Sequence, residues 1–170
     1  MDEQIKINFK DFYALVLWDP KLVNYENPKG ISASFFFKCL YQLSKSSNRP
    51  ETKTLLEKIT KELTILVDAM QIERTAIKQK LPNACILNNP LTTKPKTVVI
   101  NSEDSLCKSN ALLLRTIVTF DNLLHLIYQS YLLNCAKQKE YYKLRRHWGR
   151  RIRFILETGF FELRQLHKEW

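Results

Sequence analysis

The chain has 170 residues, 45% hydrophobic and 26% charged, with a formal net charge of +10. That length fits one domain able to bury roughly 70% of its unfolded surface, and so much apolar material excludes a disordered chain. With three glycines and six prolines, tight turns are too few for an all-β fold, so a mainly α single domain over residues 1–170 is expected.

The N-terminal MDEQIKINFKDF holds no charged-then-apolar leader, and no apolar run looks as long as a membrane span. Ile5, Ile7 and Phe9 alternate as in a short strand, and an apolar segment, 12–18, follows. Pro20, Pro28 and Gly30 mark a loop. Phe36, Leu40 and Leu43 then share a helical face after a cap at Ser32. Pro50 suits the first turn of a long helix reaching Lys80, with Asn48 or Arg49 at its boundary. In it Leu56, Leu63, Met70 and Ile77 recur every seven residues, with Ile59 and Leu66 between. That stripe packs on the core or on a partner helix. These elements make an N-terminal helical part, 1–80.

The second part, 94–170, opens on KPKTVVINSED, whose Val98, Val99 and Ile100 make the best strand signal in the chain. Asn101 or Ser102 is placed to cap a helix, with Glu103 and Asp104 in its first turn. Residues 103–134 carry a broad apolar face through Leu113, Ile117, Phe120, Leu124 and Ile127. They form the central core helix, or a pair broken near 119–121. Last comes a basic helix, 137–156, with Gly159 as its stop and a short tail helix beyond.

Four dispersed cysteines (Cys39, Cys85, Cys107, Cys135) form no CxxC pair and read as buried free thiols. A cytoplasmic protein is expected, with no metal, cofactor, membrane contact or small-molecule substrate. Asp121 and His125 are spaced four apart, but no nucleophile motif, P-loop, dinucleotide fingerprint or HExxH accompanies them. They do not suggest an enzyme. Asp121 reads as a buried structural carboxylate held by a partner such as an arginine of the last helix.

The charge is uneven. Residues 1–136 carry 17 basic and 13 acidic side chains, whereas residues 137–170 carry 10 and 4. KLRRHWGRRIRFIL, 143–156, holds six basic residues and no acid, and five of the six are arginine. Guanidinium groups match phosphate in a bidentate way. Lys94, Lys143, Arg145, Arg146, Arg150, Arg151 and Arg153 are therefore candidate phosphate contacts for double-stranded DNA. The alternatives are a solvated or intramolecular use of the same face, an acidic protein partner or a membrane. The strand needs a partner too: a second copy of itself, or the N-terminal IKINF segment of the same chain.

GISASFFFKCLYQL (30–43), RPETKTLLEKI (49–59), PKTVVI (95–100), LLLRTIVTFDNLLHLI with its Asp121, and the terminal GRRIRFIL together resemble the AcaB-like family. That family is carried by integrating conjugative elements and conjugative plasmids. The resemblance spans about four-fifths of the chain. It implies a homodimeric, DNA-binding transcriptional regulator of conjugative transfer, built around a ribbon-helix-helix element. Lys96, Thr97, Val99 and Asn101 would then be the base or groove contacts. The alternative is a non-enzymatic helical adaptor or scaffold of a conjugation system, gripping its partner through the 56–77 stripe.

Overall fold

The computed structural model describes residues 4–26, 28, 30–46, 48–81, 96–101 and 107–167. The expected mainly helical architecture is present, with a small two-stranded sheet beside the helices. Strands β1 (Gln4–Phe9) and β2 (Lys96–Asn101) pair antiparallel, in register from Gln4 opposite Asn101 to Phe9 opposite Lys96. Ile7, Phe9 and Ile100 are buried, and Ile5 and Val98 pack against the core. The strand in TVVIN thus finds its partner in IKINF of the same chain. One edge of that strand is taken within the chain, because the inward β-branched residues of both strands cover one core.

Helix α1 (Phe12–Trp18) starts at Asp11, whose carboxylate accepts the Tyr13 and Ala14 N–H groups at 2.8 and 3.2 Å. Its residues from Ala14 to Trp18 are buried. A short 3-10 turn, Pro20–Val23, is capped by Asp19. Helix α2 (Ala33–Ser46) is capped as expected by Ser32, whose Oγ accepts the Phe35 N–H at 3.2 Å. Phe36, Leu40 and Leu43 are fully buried.

Helix α3 (Pro50–Lys80) begins with Arg49 as its cap and Pro50 in its first turn. Ile59, Leu63, Leu66, Met70 and Ile77 are buried. In the first turns the burial passes to Thr52 and Leu55, while Leu56 is only partly covered. A strict seven-residue repeat drifts about 20° per heptad on a straight helix, which carries Leu56 off the centre of the face. The stripe packs on α4 (Lys108–Leu132) and α5 (Gln138–Leu166). The surface that the adaptor reading required is therefore core.

Helix α4 runs unbroken through 119–121 and touches α1, α2, α3, α5 and β1. It is the central core helix. Its first residue is Lys108 after a cap at Cys107, not a cap at Asn101, which ends β2; Ser102, Glu103 and Asp104 lie outside the described residues. By length and composition α4 is apolar enough to cross a membrane, contrary to the expectation from the sequence, yet 56% of its most apolar window is buried by the other elements. Asn134, at φ 57°, closes the helix, and Ser130 C=O accepts the N–H groups of Cys135 and Ala136 at 2.8 and 3.1 Å. A left-handed asparagine commonly ends a helix in this way.

Helix α5 does not stop at Gly159. It continues to Leu166, and Gly159 is a packing residue. A Cβ there would lie 2.8 Å from Phe36 Cζ and 3.5 Å from Ile59 Cδ1. The glycine lets α5 approach α2 and α3 closely. The Lys58–Glu162 ion pair, at 2.6 Å, and the Thr52–His167 contact, at 3.5 Å, set α3 and α5 antiparallel. Of the cysteines, Cys39 is buried, Cys107 half-buried and Cys135 exposed in the turn after α4. Burial of all the thiols is thus corrected; Cys85 lies outside the described residues. Apolar surroundings push the Cys39 thiol up to about 11.

Candidate nucleic-acid interface

The basic residues of α5 divide into two stripes. Tyr141, Arg145, Gly149 and Arg153 recur every four residues and face α1. Gly149 forms a notch: a Cβ there would lie 3.1 Å from Tyr13 Cε1. The Tyr13 ring occupies it, edge-on to Phe120 at 6.3 Å between centroids. Arg145 and Arg153 close over that ring at 4.5 and 5.3 Å, one from each neighbouring turn. Arg145 also lies 5.0 Å from the Tyr142 ring. Tyr141 donates its hydroxyl to Asp11 Oδ2 at 2.7 Å. Burial, with the Asp11 charge and that hydrogen bond, pushes the phenol well up. Arg145 and Arg153 are half-buried. Both were expected as phosphate contacts; instead they clamp an aromatic ring, because the glycine between them admits it.

The second stripe faces outward. Lys139, Lys143, Arg146, Arg150 and Arg151 are exposed. Arg151 lies over Trp148 at 4.8 Å. Among the described residues, no ion pair involves any of the five. The one acid among residues 139–151 is Glu140, whose Oε2 accepts the Lys137 N–H at the start of α5, at 3.2 Å. Five cations against one carboxylate leave a positive excess on an exposed helix surface.

Residues on the β1–β2 ribbon were also expected to contact DNA. Lys96, Thr97, Val99 and Asn101 are all exposed. Lys96 Nζ donates to Leu22 O, which ties it to the 3-10 turn. Thr97 Oγ1 donates to Asn8 Oδ1 at 2.7 Å across the strands. Lys94 lies outside the described residues. Strand β1 adds three exposed residues that the sequence reading passed over: Gln4, Lys6 and Asn8 stand opposite Asn101, Val99 and Thr97. Their signal was present, since an inward Ile5, Ile7 and Phe9 sends the intervening residues outward.

Asp121 is buried and structural, but its partners are not arginines. Its Oδ1 accepts the Lys10 and Asp11 N–H groups at 3.0 and 2.8 Å, and Oδ2 lies 3.2 Å from the Lys10 nitrogen. The carboxylate clasps the junction between β1 and α1. Burial pushes its pKa up to about 6, against the lowering by those two N–H groups. Burial and the Lys10 charge hold the half-buried His125 below its ordinary value. No match to this chain is found among protein-family models, curated proteins or solved structures.

Proposed function

We propose that the protein binds double-stranded DNA through the outer stripe of α5. The observation that carries this reading is the set of five exposed cations on consecutive turns, Lys139 to Arg151, free of ion pairs among the described residues. An ordinary solvated helix face balances its signs to relieve repulsion; this one sets five cations against one carboxylate, Glu140. Phosphate contacts of this kind hold a protein on the duplex without reading bases. Discrimination between sites is assigned to the exposed ribbon face, since a two-stranded ribbon fits the major groove. There Gln4, Asn8 and Asn101 carry amides, which can pair with the adenine edge. Residues Lys6, Thr97 and Val99 flank them.

The resemblance to the AcaB-like family extends the proposal to a transcriptional regulator of conjugative transfer acting as a homodimer. Among the described residues β2 keeps one edge unpaired, and two copies can add strands through such an edge. The test is an electrophoretic mobility-shift series on unrelated duplexes at two salt concentrations. Retardation at low salt that weakens sharply at higher salt is the expected result. Absence of retardation at low salt would rule the reading out.

A further inference from the structure

Between the end of α3, the α4–α5 turn and the first turns of α5 lies a cleft of about 1130 Å³. Its floor is apolar, lined by Ile77, Leu81, Ile127 and Leu144. Its rim is cationic. Lys80 comes from α3, and Lys139, Lys143, Arg146, Arg150 and Arg151 from α5, against the carboxylates of Glu73 and Glu140. Six cations against two carboxylates leave the rim with a marked positive excess. Arg151 is held in place by Trp148 beneath it. Concave sites with an apolar lining and a few convergent polar groups are the usual form of small-molecule sites.

We infer that this cleft binds a small anionic amphiphile, a phosphate or carboxylate head joined to an apolar body. Each half of the lining selects one half of that ligand. A simple phosphate ion leaves the floor uncovered, and a neutral hydrocarbon leaves the rim unmatched. A DNA backbone offers the rim its charge but puts no apolar group against Ile77 and Leu144. The rim shares Lys143, Arg146, Arg150 and Arg151 with the stripe assigned to DNA. Resting on that assignment, the amphiphile and the duplex compete.

The test is isothermal titration of the full chain with dodecyl phosphate below its micellar concentration, beside inorganic phosphate and vesicles of anionic phospholipid. Dodecyl phosphate is expected to bind one to one, at least ~100-fold more tightly than inorganic phosphate, since burying even a few methylenes suffices for that ratio. Lys143→Glu with Arg151→Glu should weaken it at least ~10-fold through lost charge. Ala136→Trp, which projects an indole into the cleft from the turn, should weaken it similarly. Arg164→Glu, exposed on the same helix but outside the cleft, should change nothing. The inference fails if dodecyl phosphate does not bind, if inorganic phosphate binds equally well, if both cleft variants bind as the wild type does, or if only vesicles retain the protein. Adding dodecyl phosphate to a labelled duplex complex tests the shared rim. Release supports it, and simultaneous binding overturns it. A chain that binds the amphiphile and no duplex loses the DNA assignment and keeps the cleft.

Discussion

Arg145 with Arg153, and Arg150 with Arg151, lie within nine residues of one another on one helix. The first two enclose the Tyr13 ring; the second two are exposed. The difference lies outside α5. A glycine between Arg145 and Arg153 admits an aromatic ring from α1, and cations gather on that ring's faces. On the other stripe no ring arrives from another element: Arg151 lies over Trp148 of its own helix, and the charge stays exposed to solvent. Equal chemistry thus gives two environments: one pair of arginines packs on a ring of the fold, and the other stays exposed, on the surface proposed to meet DNA.

Removing what separates the pairs should have the largest effect. Tyr13→Ala empties the Gly149 notch and leaves two half-buried guanidinium groups without their ring. A loss of about 3 kcal/mol is expected in chemical denaturation. Gly149→Leu should act in the same direction, because even its Cβ would lie 3.1 Å from Tyr13 Cε1 and the atoms beyond it would take the ring's place.

Asp121 fastens the β1–α1 junction that presents Tyr13, and its ionisation provides a second handle. Its folded-state pKa, about 6, stands above the ordinary 3.8, so the folded chain holds the proton more tightly than the unfolded one. Its contribution to stability is complete below about pH 4 and declines as pH rises through 6, by about 3 kcal/mol in total. Asp121→Asn should abolish that part of the pH dependence, read from denaturation midpoints at pH 4, 5, 6 and 7. An unchanged profile in the variant would show that the slope comes from other groups.

A smaller effect should separate the arginine pairs themselves. Arg145→Gln with Arg153→Gln is expected to cost about 1–2 kcal/mol, from lost ring contacts. Arg150→Gln with Arg151→Gln should cost less, about 0.5 kcal/mol for the one exposed contact of Arg151 with Trp148. The least is expected of Glu162→Gln: the Lys58–Glu162 pair is solvent-exposed, and exposed pairs of this kind add little. Its thermal midpoint should match the wild type.

Much of the fold was legible in the sequence. The apolar period of α3, the proline at its start and the broad face of α4 announced long packed helices, because such patterns are set within one element. The alternation in residues 5–9 and the β-branched run in TVVIN announced strands for the same reason. Their pairing was left open, since it joins residues about ninety apart and depends on a core that covers both. Gly159 has the sequence signature of a stop, whereas its cause is Phe36 on another helix. The arginine division was hidden likewise. Only the spacing Arg145–Gly149–Arg153 hinted at it: a glycine midway between two cations on one stripe is where a ring can enter.

On the proposed function, the outer stripe and not the Tyr13 clamp meets the DNA backbone. This is tested most directly by the slope of log binding constant against log salt for a duplex, measured by fluorescence anisotropy. Replacing Arg146, Arg150 and Arg151 with glutamine should lower that slope by about 3, close to one released counterion per contact. In Arg145→Gln with Arg153→Gln, folded under the assay conditions, the slope should stay at the wild-type value. Equal slopes in the wild type and the outer-stripe variant would contradict the account, as would a lowered slope confined to the clamp variant.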